Sequence, residues 1–520
     1  MYKKNQNHQY KFTDFNQPIG LEMDPENRWV KKAEMIPWNA IEEKYAKLFP
    51  SDTGNPAKPV RMALGALLIQ KQYGYSDREL LEQIRENPYY QYFIGLPGYQ
   101  KEKPFDPSLL VAFRKRLPDD LLDEVNEMII EYNRSLLENS EPDPSTPSDD
   151  EGSSDPPDDA GPSDPPDGGD GSGNEAKETK PGTPEKTTPN KGTLILDATC
   201  APQHIAFPQD INLLNEAREK LEGIIDTICF EYNLPKPRTY RINARKDYLS
   251  LAKCRKRISK RIRKAIKQQL QYIRRDLGYI HRYLDRGMEI STKHRALLDI
   301  LQKVYEQQEY MYTHKTHSVK DRIVSISQPY VRPIVRGKAK TPTEFGTKLD
   351  LSIDENGMGR IEKQSFDAYN EKEVLIGAVE RYKARTGHYP ERVLADKIYR
   401  TRENRAYCKK HGIRITGPAL GRPKKNISLE DKRQAYDDAV DRIEVERDFS
   451  LAKRCFGLGM IVTKLEETTR SSISLSIISM NLNRLARFLF VLFLKLIFNV
   501  QLVDRNRSSN GYIRYTGQYG

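Results

Sequence analysis

The sequence predicts an α/β chain: a mixed sheet flanked by helices, a long helical insertion after the first strand, and an all-α region in front. Three observations predict it. Apolar residues recur at helical spacing through residues 56–137. Composition then collapses into Pro, Ser, Gly and Asp over residues 138–191. From residue 192 on, short strand-like runs alternate with helical stretches, the pattern of a sheet covered by helices. With 520 residues the chain has room for two to four domains, each with its own core.

Residues 1–55 are polar and aromatic, with Trp29 and Trp38, and read as an arm that packs on the helical region after it. In the helical region 56–137, Val60, Leu64, Leu67 and Leu68 line one helix face, and Gly74-Tyr75 ends it. Ser76 with Glu79 three residues later forms a capping box for a second helix that buries Leu80, Leu81 and Ile84. Asp106-Pro107 predicts a third start, an N-cap with proline at the first helical position. That helix ends in Arg114-Lys115-Arg116, and a fourth covers Asp119 to Leu137. A helix-turn-helix-like module with a basic, DNA-contacting end fits this pattern. An ordinary helical bundle fits it equally.

The stretch 138–191 cannot bury enough apolar surface to offset its ordering entropy. A flexible segment of this length spans about 40 Å, so the modules on either side are expected to move independently. It is also acidic. Residues 141–190 hold fourteen Asp/Glu against three Lys, so a formal charge of +12 conceals an excess of 23 positive charges elsewhere. Such an excess points to a polyanionic partner, nucleic acid or an anionic membrane. The opposite charges of linker and remainder make a prediction. Deleting residues 141–190 should tighten non-specific DNA binding at low salt, read by fluorescence anisotropy; unchanged affinity would show that the linker does not compete.

Thr193 to Asp197 reads as a short buried strand, followed by a helical insertion over 213–340. Its middle, Arg241 to Arg275, holds fourteen Lys/Arg and one acid, Asp247. Lys256, Lys260, Arg263, Lys264 and Lys267 recur at helical spacing and predict a positive stripe for DNA phosphates. Strands return at 346–353 and 360–366 around an Asn356-Gly357 turn. Next come a helix over 371–385, a strand over 392–396, a helix over 403–411, a strand over 413–416 and a helix over 429–456. Residues 481–520 form an apolar helix and tail. Arg487 and Lys495 cut its apolar run short of the roughly 18 residues that span a bilayer, so no membrane partner is expected. Five scattered cysteines without a CxxC, and no apolar run near the N-terminus, predict a reduced cytoplasmic, nucleoid-associated setting. His314 and His317 lack cysteine partners and do not suggest a zinc site.

Three carboxylates carry the chemistry. Asp197 ends the run Leu194-Ile195-Leu196, Asp396 ends Val393-Leu394-Ala395, and Glu446 lies on the 429–456 helix. Two carboxylates at strand ends and one on a helix can converge and hold two divalent cations for an in-line phosphoryl displacement. Glu444 competes with Glu446, but two positions turn a helix by about 200°, so only one of them can face the site. Glu446 shares its face with Arg442 and Lys453, which suits metal and phosphate together. This order of carboxylates along the chain is that of a ribonuclease-H-like nuclease core.

Several blocks resemble the insertion-sequence DDE transposases of bacteria, in the superfamily of insertion-sequence families four and five. They are Asp197 to Asp210, Pro342 to Lys348, Asp367 to Glu371, and Ala395 to Tyr399 with Glu403-Asn404-Arg405. The fifth is the Arg442, Glu446, Lys453 block, and Phe105 to Leu117 resembles the family's N-terminal helical domain. The family's Tyr three residues before the Arg is absent: Ala439 stands there, with Tyr436 one turn earlier. The resemblance implies a catalytic domain over 192–480 in which Asp197, Asp396 and Glu446 hold two Mg²⁺ ions, which Mn²⁺ can replace. It further implies that Arg442 and Lys453 contact DNA near the scissile bond, that the N-terminal helices read terminal inverted repeats, and that a homodimer forms on double-stranded DNA. Two other readings remain: a nuclease on the same core that cuts without joining, and a DNA-binding protein with a decayed core.

Overall fold

The computed structural model describes residues 9–49, 56–138, 189–335, 343–416 and 428–498, with side chains to 136 and 488 at two of those ends. The acidic linker from 139 to 188 and the tail from 499 lie outside the described residues.

Among the described residues, seven α-helices lie before the sheet: α1 (Arg28–Glu34), α2 (Trp38–Ala46), α3 (Val60–Tyr73), α4 (Asp77–Glu86), α5 (Pro88–Phe93), α6 (Leu109–Arg116) and α7 (Asp119–Glu138). Ser76 caps α4 by accepting from the Glu79 N–H. Asp106 does not cap α6. Its carboxylate accepts from the Ser108 N–H at 2.9 Å, and this local turn delays the helix to Leu109. Trp29 and Trp38 sit in one core with the apolar faces of α3 to α7.

Strand β1 (Thr193–Pro202) runs five residues past Asp197 before the insertion opens. The insertion consists of α8 (Asp210–Glu231), α9 (Arg241–Ala252), α10 (Ser259–Asp285) and α11 (Thr292–His314), and it has its own core from Leu214, Leu221, Ile273, Ile280 and Leu301. Then come β2 (Arg332–Val335), β3 (Thr343–Ile353), β4 (Gly359–Ser365), α12 (Val374–Thr386), β5 (Arg392–Ala395), α13 (Arg402–Lys410), β6 (Arg414–Thr416), α14 (Leu429–Cys455) and α15 (Glu466–Phe498). The hairpin β3–β4 turns through Asp354, whose carboxylate accepts from the N–H groups of Asn356 and Met358. Within that turn only Gly357 adopts a left-handed φ, +77°, the conformation that needs glycine.

The sheet order is β2-β3-β1-β5-β6, with β4 also pairing β3. β1 is antiparallel to β3 and parallel to β5, and β5 is parallel to β6. The chain is therefore mixed α/β, as predicted. Side-chain alternation assigns the two faces. Leu194, Leu196, Val393 and Ala395 pack on α12, while Ile195 and Leu394 pack on Val445, Phe449 and Ala452 of α14.

The N-terminal helices are not an independent module. Leu475, Ile478, Leu482 and Leu485 of α15 belong to their core, while Ile473, Ile477 and Met480 of the same helix pack on the sheet side. Polar bonds seal the seam: Asn481 donates to Asn126 at 2.8 Å, Asn126 to the Gly359 carbonyl at 3.1 Å, and Lys71 to Ser472 at 2.6 Å. A linker that is free in sequence terms is thus bypassed by α15, which binds both halves.

Asp123 lies on this seam and accepts from the Ser474 hydroxyl at 3.0 Å. Burial first, then the nearby carboxylates of Asp119, Glu127 and Asp120, push its pKa up from 3.8 to about 7. The folded state therefore holds a proton that the unfolded chain releases. Stability is unaffected below about pH 4, falls as pH rises from there, and levels off above about 7. Asp123→Asn keeps the acceptor and removes the charge. It should raise the thermal midpoint at pH 8, by at most about 4 kcal/mol of stability, with the gain shrinking toward pH 4. A gain independent of pH would contradict this origin.

Candidate metal and nucleic-acid site

Asp197 has the parity of Ile195 and so lies on the α14 face of the sheet. Leu196 pairs with Ala395 in the parallel β1–β5 ladder, so the next residues of the two strands, Asp197 and Asp396, adjoin. Asp197 accepts from the Ala198 N–H at 2.8 Å. Asp396 caps the single 3-10 turn that follows β5, accepting from the Lys397 N–H at 2.7 Å. Burial pushes the Asp197 pKa up to about 6. The Ala198 N–H and Arg442 pull it back, and the charges of Asp396 and Glu371 add to the rise. A half-desolvated carboxylate with two acidic neighbours has negative charge to spare, the condition that favours a bound cation.

Helix α14 crosses this face. Its base is pinned by Arg392 of β5, which bonds Asp438 at 2.8 Å and Asp441 at 2.6 Å, and by Arg414 of β6, which bonds Asp438 at 2.5 Å. Val445, Phe449 and Ala452 face the sheet. Arg442 is close enough to lower the Asp197 pKa, and Lys453 donates to Thr199 of β1 at 2.8 Å. Glu446 points outward, its side chain 56% exposed, with Arg442 as a 3.7 Å ion-pair partner. Glu444, one of the two acids weighed from the sequence, is bonded to Arg484 of α15 and Arg447 instead. The structure thus brings Asp197, Asp396 and Arg442 together and leaves Glu446 at the rim. The carboxylate oxygens of Asp197 and Asp396 are hard donors of the kind a divalent cation takes. Among the described residues no group of three or more His, Cys, Asp and Glu is arranged to hold a metal ion.

The other expected DNA contacts divide. Lys256, Lys260, Lys264 and Lys267 are exposed at the start of α10 and just before it. Arg263 is half-buried, its guanidinium 4.2 Å above the Tyr312 ring. In the N-terminal region Arg114 turns inward, bonding Asp77 and donating to Gln70 at 2.8 Å. Arg116 lies over the Phe49 ring at 5.4 Å, and Lys115 is 3.7 Å from Glu467. Partners far away in sequence hold the basic end of α6 against the fold. His314 stacks on Tyr310.

Sequence reasoning missed a polar cluster beneath the site. Asp350 of β3 pairs with Ala198 in the ladder and is fully buried. Its two carboxylate oxygens accept from the hydroxyls of Tyr369 and Tyr399. Lys348 bonds Glu371 at 2.8 Å beside them. An acid inside a strand that alternates polar and apolar residues reads as solvent-facing, so only the second layer of helices reveals it.

Among the described residues no helix is long and apolar enough to cross a membrane. Residues 393–483 match the family described as the transposase DDE domain, and residues 20–116 match the transposase domain DUF772. A protein of Rhizobium meliloti, described as the uncharacterized protein ORF8 in nfe locus, is 30% identical over 117 residues, covering 22% of this chain and 56% of that protein. The chain therefore spans little more than half the length of that relative. No solved structure matches it. The first match begins just before Asp396 and contains Glu446, and the second runs from the aromatic N-terminal segment to the end of α6. Over these two segments, residues 20–116 and 393–483, the chain is similar to the DDE transposases.

Proposed function

We propose that the protein binds the terminal inverted repeats of its element and catalyses metal-dependent DNA cleavage and strand transfer from a ribonuclease-H-like core. The observation that carries this reading is that Asp197 and Asp396 each lie one residue beyond the last pair of the parallel β1–β5 ladder, beside the helix that bears Arg442, Glu446 and Lys453. The sheet order, with its first strand between an antiparallel hairpin and a parallel pair, agrees with it.

Asp197, Asp396 and Glu446 would hold two Mg²⁺ ions, which supply Lewis acidity and lower the pKa of an attacking water. The chain's own residues do the rest. Asp197 presents fixed negative charge from within β1, and Asp396 from the turn that ends β5. Glu446 completes the set by turning its side chain from Arg442 into the site. Arg442, once released from Glu446, and Lys453 orient the phosphate next to the scissile bond. The exposed lysines around the start of α10 hold the DNA backbone, and the N-terminal helices read the repeat, with a homodimer aligning two ends. Lys453 and Thr199 keep α14 seated on β1 throughout.

Sequence reading is tested by competition. Labelled duplex carrying the element's end and a scrambled duplex of equal length are titrated with the full chain at physiological salt. A preference on the order of 10³ or more for the end is expected. Equal binding would favour a nuclease that does not read sequence.

A further inference from the structure

We infer that Asp350 and Tyr399 form a buried clamp that holds Asp396 in register with Asp197, so both are positioning residues for the site; this rests on the proposed role of Asp396 as a metal ligand. Asp350 has the parity of Lys348 and Ser352, opposite to that of Leu349 and Leu351, which pack toward α14. It therefore lies beneath the sheet, away from the face that carries Asp197. Ser352 on the same side bonds Glu362, which in turn binds Arg381 of α12 at 2.6 Å.

A carboxylate at this depth persists only if its oxygens are hydrogen-bonded. Two phenols do this from two different segments. Tyr369 comes from the loop after β4, and Tyr399 from the 3-10 turn that Asp396 caps. Tyr399 is tied to Asp396 by the bond that closes the turn, its N–H donating to the Asp396 carbonyl at 3.1 Å, and its own carbonyl is held by Asn404 at 2.7 Å. The turn cannot swing without pulling the Tyr399 hydroxyl from Asp350. Asp350 is in turn fixed by the ladder beside Ala198, the neighbour of Asp197. The two candidate ligands are thus joined by one route through β1, β3 and Tyr399, and by a second through the β1–β5 pairing. The strand pairing sets their spacing. The clamp sets the angle of a turn that begins just beyond the last ladder pair and that no strand among the described residues pairs with.

Two single substitutions separate positioning from stability. Tyr399→Phe removes the bond from the turn that bears Asp396. Tyr369→Phe removes a bond of the same kind to the same carboxylate, from a different loop. Mn²⁺ binding to the full chain without DNA is titrated by electron paramagnetic resonance, alongside the thermal midpoint and the kcat and KM for Mg²⁺-dependent cleavage. Tyr399→Phe should weaken Mn²⁺ binding by about tenfold and lower kcat by a similar factor, with KM for DNA within about twofold. Both substitutions should lower the thermal midpoint by similar amounts, but Tyr369→Phe should leave Mn²⁺ affinity within about twofold of the unaltered chain. Unchanged Mn²⁺ affinity in Tyr399→Phe, or an equal loss in Tyr369→Phe, would overturn the clamp. Failure of the unaltered chain itself to bind Mn²⁺ would overturn the proposed function and this inference with it, and is distinguished because it precedes any substitution.

Discussion

Asp197→Ala is expected to reduce DNA cleavage by on the order of 10³-fold or more while changing DNA affinity only a few-fold. The asymmetry follows from where charge sits. Asp197 contributes no contact to the exposed cations of α10 that would hold the backbone, so binding survives its removal. It is the buried member of the acidic pair, on the strand at the centre of the sheet, and no other carboxylate among the described residues occupies its register position. Glu371, another acid whose charge reaches Asp197, is engaged by Lys348. Gel-resolved nicking and anisotropy, run on the same preparation, check the two halves of the prediction. A mutant that still cuts would remove Asp197 from the site.

Arg360→Ala is expected to cost about 3–5 kcal/mol of stability. Arg360 bonds Asp354 at 2.7 Å with both side chains only 7% exposed, and bonds Glu127 of α7 at 2.7 Å. Truncation leaves the Asp354 carboxylate buried without its cation, although it still accepts from the hairpin turn. It also cuts a tie between the sheet and the N-terminal helices. Glu127→Gln removes only the more exposed partner and should cost about 1 kcal/mol or less. Urea unfolding of the two variants distinguishes them. Equal and small losses would mean that the seam is held by α15 alone.

How far the sequence could be read depended on the range of the interactions. Short-range signals were legible. The Ser76 cap, the twenty-residue α7, the start of β1 and the strand that ends just before Asp396 all follow from residues a few positions apart. β2 was not, because its four residues, Arg332 to Val335, contain a proline and pair only along the end of β3. Arg114 read as a free cation because its partner Asp77 lies 37 residues earlier. The acidic linker suggested two independent halves, whereas α15 carries apolar residues for both cores on different faces. In the candidate site Asp396 does follow a strand end, whereas Asp197, expected at one, lies inside β1. The preference for Glu446 over Glu444 rests on helical faces; in the structure Glu444 bonds Arg484 and Glu446 stands at the rim. Asp350 and Tyr399 were invisible, since an acid inside a strand and a tyrosine in a turn acquire meaning only when β3 and the turn after β5 meet.

Whether this chain both cuts and joins DNA is decided most directly by incubating the full protein with Mg²⁺ and labelled duplex bearing the sequence that flanks its own gene. The products are resolved on a denaturing gel. Metal-dependent nicking at the repeat boundary is expected, followed by joining of the freed 3′-hydroxyl to a second duplex. Cleavage without joining or end preference would overturn the transposase reading in favour of a plain nuclease, and binding with no cleavage in Mg²⁺ or Mn²⁺ would overturn it in favour of a decayed core.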